Sequence, residues 1–456
     1  MKRCLLLSVT LILQTLVVTV VSAQAHDPNA GLVPKTEFDG PALEFEFPGM
    51  LIGVAEYSEG PTGTTLFYFP QGVMAAVDVR GGAPGTVNTD ALRLGYEDPF
   101  TTAIALSGGS SYGLGAATGA SQEIKTLRDD PGWWTNVAVV SGAIIFDMGS
   151  RRYNAVTPDE HLGRAAIRAA RPGYFPLGAH GAGRFAMQGW FYNEAQHSGQ
   201  GAAYGKFGDV RIAVFTVVNS LGGVVDRAGR LVRCGVVTRT DCPTASSVLR
   251  TQSVDKDNHE ESSRGLTSNT TISLVVTNQK LGFAELQRFA MQTHTSMARA
   301  IQPFHTINDG DTLFAVTTGE VESSDISIEQ LGVHASELMW DAVLASVPAM
   351  PDRAKAEDRV LTVSEMSNYV GTYEFAPGMQ ATVMIEGQNL VVHAPKRGSM
   401  YLPSGSVTKI VPASNGDYIL DTQRSDVVRF ETDEDDNVIG LVVNPGLWPV
   451  KAVRSK

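Results

Sequence analysis

Over the first three quarters of the chain, apolar residues gather in short strand-like runs. These are Val73 to Val79, Val137 to Phe146, Arg211 to Val218, Thr270 to Val276 and Thr312 to Val316. Short apolar runs of this kind read as strands. Helical periodicity lies between them. Leu286, Phe289, Thr293, Met297 and Ile301 fall on one face of a helix predicted over 284–301, and a further helix is predicted over 328–344. Thr157-Pro158-Asp159-Glu160 has the form of a helix start, with Thr157 as cap and proline in the first turn. Strands alternating with helices predict one large α/β unit over 26–350.

Two polar stretches interrupt this pattern. Pro243 to Ser268 is dominated by Ser, Thr and charged residues and buries little, so it is expected on the surface. It ends immediately before the run that begins at Thr270. Pro348 to Asp358 is a second break, with the domain linker placed at 351–358. From 359 to 456 the pattern changes to alternation: Tyr369 to Phe375, Ala381 to Ile385, Asn389 to His393, Tyr418 to Asp421 and Val427 to Glu431. Gly387, Gly416 and the acidic run Asp433 to Asn437 fall at turns. This predicts a small antiparallel β domain, a barrel or a curved sheet. The acidic run reads as a solvated turn, with a calcium site as the alternative.

Composition narrows the function. Of 456 residues, 43% are hydrophobic and 18% charged, which allows a large core. The net charge of -12 argues against a nucleic-acid partner, because no basic excess exists to replace its counterions. Met1-Lys2-Arg3, the apolar stretch Leu5 to Val21, and Val21-Ser22-Ala23 or Ala23-Gln24-Ala25 have the form of a secretory signal over 1–25. A membrane anchor is the alternative reading. The expectation is an exported protein, periplasmic or extracellular, with no membrane span after signal removal. Cys4 leaves with the signal. Cys234 and Cys242 remain, and an oxidising compartment favours a disulfide between them over two buried thiols. The nine histidines show no metal-ligand spacing, so neither a metal nor another cofactor is expected.

The polar stretch running into Asn269-Thr270-Thr271 has a specific chemical potential. If the Thr270 hydroxyl attacks the Asn269 carbonyl, the peptide becomes an ester and then hydrolyses. A strand is left that begins with a free α-amine beside its own hydroxyl. Such an amine has a pKa of about 8 and can act as base without a histidine. The plain reading is a loop-to-strand junction with threonine present for its β propensity. Asn269-Thr270-Thr271 is also a glycosylation sequon.

Other segments become informative beside this junction. They are Arg80-Gly81-Gly82-Ala83-Pro84-Gly85-Thr86, Ser107-Gly108-Gly109-Ser110, Gly178 to Gly183, Val217-Val218-Asn219-Ser220-Leu221-Gly222, and His305 to Phe314. Neither of the first two has dinucleotide-binding spacing. In this order the segments resemble the self-processing aminopeptidases that include D-aminopeptidase and β-peptidyl aminopeptidase, over about residues 45–320. The resemblance implies a four-layer α/β/β/α sandwich of the N-terminal nucleophile hydrolase kind. It also implies release of N-terminal residues from short peptides or amino-acid amides. The chain would divide into an α-chain, 26–269, and a β-chain from 270, assembled as a homo-oligomer, commonly a tetramer.

By the same resemblance Thr270 is the nucleophile, and Asn219 helps form the oxyanion hole. Asp309 and Asp311 lie near the nucleophile, and Ser107, Gly108, Gly109 and Ser110 shape the substrate pocket. A charged turn before a strand is the other reading of the Asp309–Asp311 pair. The sequence departs from the family at Phe146, where some members carry a tyrosine near the oxyanion hole, and over Arg184 to Gly201, which holds Trp190, Phe191 and Tyr192. The β domain after 359 lies outside the resemblance and looks like the lipocalin-like barrels appended to some secreted hydrolases. An acyltransferase using the same threonine and a secreted binding protein without catalysis are the alternative functions.

Overall fold

The structure is a computed structural model. It describes residues 27–93, 95–96, 99–128, 136–148, 155–192, 196–234, 242–251, 269–322, 324–348, 356–376, 379–394, 405–421, 426–446 and 448–455. The expected signal, the last part of the polar stretch before Thr270 and most of the linker fall outside these residues.

One strand organises the larger unit. Thr62–Val79 runs for 18 residues. Its first half pairs with Leu51–Tyr57 and Phe100–Ser107, its register shifts between Tyr68 and Val73, and its second half pairs with Thr312–Val321. The shift occurs at Pro70-Gln71-Gly72, where Gly72 has φ of 70° and the Phe100 ring fills the place of a Cβ. The second leaf continues from Thr312–Val321 through Thr270–Gln279 and Val210–Asn219 to Gln200–Phe207.

Period-two patterning then builds the layers. Phe215, Val217, Ile272, Leu274, Val276 and Phe314 face inward and meet Ile52, Val54, Phe67, Ile104 and Leu106 from the first leaf. Their neighbours Val214, Val218, Val275, Leu313 and Ala315 face outward, onto helices Phe283–Ser296 and Ile328–Ala345. Helices Gly115–Leu127 and Glu160–Arg168 cover the other leaf. The order is α/β/β/α, as expected.

Two helix boundaries differ from expectation. The cap of Glu160–Arg168 is Asp159, which accepts the Leu162 N–H at 2.8 Å, and Thr157 stands outside the helix. Asp159 also accepts the buried Tyr57 hydroxyl at 2.9 Å, a bond that burial and the carboxylate charge together make costly to ionise. The helix predicted to run to 301 stops at Ser296 and tightens into a 3₁₀ turn at Met297–Arg299. Ile301 instead pairs with Val224 in a short two-stranded ladder.

The C-terminal unit is a closed antiparallel barrel of eight strands, from Gly371–Ala376 to Val450–Arg454. Tyr373, Val383, Leu390, Val392, Ile410, Leu420, Leu441 and Val443 fill it. A short helix, Val363–Tyr369, enters it through a capping box between Thr362 and Glu365. In the acidic turn, Asp433 accepts the backbone N–H groups of Asp435 and Asn437.

Candidate active site

Thr270 is the first residue of the central strand of the second leaf, and pairs across the ladder with Asn219, the last residue of its neighbour. β Propensity places a threonine well at such a position, but the surroundings are not those of an ordinary strand end. Asn269, Thr270, Asn219, Asp309 and Asp311 are all buried. With the Asn269–Thr270 peptide intact, the Thr270 hydroxyl donates to the Asn269 carbonyl at 2.6 Å. The Gly310 N–H donates to the same oxygen at 2.7 Å. The Thr270 hydroxyl and the Asn269 carbonyl are thus adjacent, and the fixed Gly310 N–H dipole polarises that carbonyl.

The loop that supplies Gly310 is held from three sides. Thr306 donates to Asp309 Oδ2 from its N–H at 3.0 Å and its hydroxyl at 2.6 Å. Asn269 N–H donates to Asn308 O, and Ala83 N–H to Asp309 O. Arg80 and Gly81 N–H groups both donate to Asp311 O. A Cβ on Gly81 would sit 2.3 Å from Asp309 O and Asp311 N, so the Arg-Gly-Gly segment exists to let two loops touch backbone to backbone. A Cβ on Gly310 would sit 2.7 Å from both Ala83 O and Thr270 Oγ1.

Asp311 anchors the strand that begins at Thr270. Its Oδ1 accepts the Thr271 N–H at 2.8 Å, and its Oδ2 accepts the His305 N–H at 3.0 Å and lies 3.1 Å from His305 Nδ1. Asp309 lies beside it, and burial followed by the charge of Asp311 pushes the Asp309 carboxyl up to about 6. Behind them, His294 packs edge-on against His305 with ring centroids 4.4 Å apart, and its Nδ1 lies 2.9 Å from Asp78 Oδ2. Burial holds His294 below the usual imidazole range, against the pull of Asp78, so it is neutral at neutral pH. Burial would raise the Asp78 carboxyl, but hydrogen bonds from His294 and Arg80 outweigh it and hold it low.

The structure therefore brings Thr270, Asn269, Asn219, Asp309 and Asp311 together. Asn219 is more constrained than the sequence suggests: its Oδ1 accepts the Met187 N–H at 3.0 Å and its Nδ2 donates to Phe146 O at 2.9 Å. An amide nitrogen carries two hydrogens, so one donor remains after the Phe146 bond. Phe146 contributes through its carbonyl, for which its side-chain identity is immaterial. Ser107 is buried with its hydroxyl 2.7 Å from that of Thr64, while Gly109 N–H donates to Asp147 Oδ1. Of the Ser107–Ser110 segment, only Ser110 is half-buried, and its φ is 55°. Cys234 and Cys242 are joined by a disulfide with Cα atoms 5.6 Å apart, away from these groups in the chain.

Sequence reasoning missed Gly310, His305, Thr306 and Met187. Gly310 lies between two aspartates in a turn-like string, which was the available signal; the partners of His305, Thr306 and Met187 are set by the fold, and no local pattern records them.

The model of peptidase family S58 matches residues 46–358, more than half the chain. The chain belongs to peptidase family S58. It is 44% identical over 316 residues to the 6-aminohexanoate-oligomer endohydrolase of Paenarthrobacter ureafaciens, covering 66% of this chain and 85% of that protein. An uncharacterized aminopeptidase of Mycobacterium tuberculosis is 34% identical over 261 residues, covering 57% of this chain and 74% of the relative. Among solved structures, the L-aminopeptidase D-Ala-esterase/amidase of Ochrobactrum anthropi aligns with a TM-score of 0.49 at 16% identity, over 68% of this chain and 88% of that one. As an S58 peptidase, the protein is a hydrolase of peptide or amide bonds, and its closed barrel lies beyond the matched residues.

Proposed function

We propose that this S58 peptidase cuts itself between Asn269 and Thr270 and then hydrolyses amide bonds through an acyl-enzyme on Thr270. The observation that carries the reading is the Asn269 carbonyl oxygen, shared between the Thr270 hydroxyl at 2.6 Å and the Gly310 N–H at 2.7 Å. In the first step the hydroxyl oxygen bonds to the Asn269 carbonyl carbon, the C–N bond breaks, and the hydroxyl proton ends on the Thr270 nitrogen. Water then hydrolyses the ester, releasing the Asn269 carboxylate and restoring the hydroxyl.

Departure of Asn269 frees the Gly310 N–H for a substrate carbonyl. The Thr270 amine takes the hydroxyl proton, Oγ1 bonds to the scissile carbon, and the proton passes to the departing amine. Water completes the turnover. Gly310 N–H and the remaining Asn219 hydrogen hold the oxyanion; loss of one such donor costs about 2.7–4 kcal/mol. Asp311 keeps Thr271, and hence the nucleophile, in place. Asp309 offers a carboxylate to the Thr270 amine or to a substrate ammonium.

The substrates in this reading are short peptides, amino-acid amides or oligomers of ω-amino acids. The names of the relatives support that range. The leader over 1–25 sends the enzyme out of the cytoplasm, and a closed homo-oligomer completes the assembly. An intact-mass spectrum of purified protein tests the first step: two chains, the second beginning at Thr270, are expected. A single uncut chain with full amidase activity would sink the proposal.

A further inference from the structure

Among the described residues, the barrel meets the larger unit around Phe185 and Trp448. Phe185 leaves the sandwich and joins the barrel's own apolar core. His197 stacks on Trp448 at 4.7 Å between centroids and meets Phe185 edge-on at 4.9 Å. Arg233 covers the Trp448 ring at 5.4 Å, and Arg184 donates to Pro449 O at 3.0 Å. Phe185, His197 and Trp448 are all buried.

Phe185 and His197 belong to one small hairpin. Met187–Gln188 pairs with Gln196–His197, with Phe185 just ahead of the first strand and His197 in the second. On its opposite side the same hairpin touches the active site. The Met187 N–H holds Asn219 Oδ1, and Ser198 donates from its hydroxyl to Val218 O at 2.6 Å. Gly189 and Phe191 N–H groups donate to Gly222 O and Leu221 O, in the loop whose Leu221 N–H reaches Asp309 Oδ1 at 3.4 Å. The hairpin lies in Arg184 to Gly201, the stretch that departs from the family.

We propose that the C-terminal barrel is a positioning module for the Thr270 site, with Phe185 and Trp448 as positioning residues acting through this hairpin. An amide side chain has two orientations of nearly equal shape, and the Met187 N–H on one side and the Phe146 carbonyl on the other select the one that puts Asn219 oxygen toward the hairpin and nitrogen toward Phe146. A docked barrel makes that donor immobile. An undocked barrel frees Phe185 and His197, and the amide keeps its Phe146 bond but loses the firm Met187 side of its clamp, so the donor is held less exactly. The effect therefore falls on kcat rather than on KM. The inference rests on the reading of Asn219 as an oxyanion donor for Thr270.

The test uses the whole purified protein, the ring variants after processing, and two amide probes, an amino-acid p-nitroanilide and the linear dimer of 6-aminohexanoic acid. Trp448→Ala and Phe185→Ala are expected to lower kcat by about 10–100-fold with KM nearly unchanged, the scale of a small misplacement of a catalytic group. Trp448→Phe is expected to restore most of it. Wild-type kcat in Trp448→Ala, while protease susceptibility of the linker shows the barrel undocked, overturns the proposal, as does an equal loss in Trp448→Ala and Trp448→Phe. Should Phe185→Ala not fold, Trp448→Ala decides, because it leaves the sandwich sequence untouched. Thr270→Ala separates the two readings. If it is inactive while both ring variants keep wild-type kcat, only the barrel proposal fails. If it retains activity, the Thr270 reading itself fails.

Discussion

The Thr270 end of the sandwich and the interior of the barrel are both buried, yet they are built from opposite materials. The barrel is filled by Val383, Leu390, Ile410, Leu420 and their like, and its buried Asp417 is met by the exposed guanidinium of Arg429. The end of the sandwich buries Asn269, Asn219, Asp309, Asp311 and His294 within one network, two like-charged carboxylates among them. Burying unpaired polar groups costs several kcal/mol each on transfer scales. The sandwich sustains them because its apolar layers are extensive and because backbone N–H groups meet nearly every oxygen. The barrel spends its interior on stability; the sandwich end gives up stability for preorganised dipoles and a raised carboxyl.

That contrast can be broken most severely at Thr270. Replacing it by Ala removes the hydroxyl, and the chain is expected to remain uncut by mass spectrometry with amidase activity lower by about 10⁴-fold or more, as for loss of other nucleophiles. Thr270→Ser keeps an attacking hydroxyl and is expected to process. Next comes Gly310→Ala. The added methyl must move Ala83 O or the Thr270 hydroxyl, each 2.7 Å away. Processing half-times measured by gel should lengthen by about 10²-fold or more, the scale of a lost oxyanion donor. Normal processing would show that Gly310 is not aimed as the structure has it.

In the barrel a truncated core side chain acts on stability alone. Leu390→Ala empties part of a closed apolar core and is expected to cost about 2–5 kcal/mol in urea unfolding of the barrel. Activity at low temperature, where the barrel remains folded and docked, should stay near wild type. The smallest effect concerns pH. In the folded state Asp309 holds its proton up to about pH 6, against a usual value of 3.8. The folded state thus binds the proton more tightly than the unfolded one. Its stabilising contribution is full below about pH 4 and is lost as pH rises from there through 6. Thermal melts of uncut Thr270→Ala from pH 4 to 7 should show this decline, and adding Asp309→Asn should flatten it. Parallel curves for the two proteins would place the Asp309 titration elsewhere.

Much of the architecture was legible because side-chain alternation is local. The run Thr270 to Val276 shows which residues face each side, and the change to alternation after 359 announces a different unit. Helix ends were less legible. Thr157 and Asp159 are both good caps, and only the extended backbone at Asp159 with its bond to Leu162 chooses between them. The candidate site was legible as a set of loops, from the glycines that permit backbone contact and from the Asn-Thr-Thr junction. Its working geometry was not. That Asn219 spends one hydrogen on Phe146 O, across 73 positions of sequence, has no trace in either segment.

By itself, then, the sequence determined the alternation of strands and helices, the change of unit near 359 and the threonine at the head of a buried strand. These follow from propensity and periodicity, which act over a few residues. Tertiary structure alone decided that Gly310 N–H points at the Asn269 carbonyl, that Asp309 is raised by burial beside Asp311, and that Phe185 enters the barrel. Each of these depends on the approach of segments distant in the chain. Dipole direction, desolvation and cavity filling are set by that approach, and no run of neighbouring residues contains it.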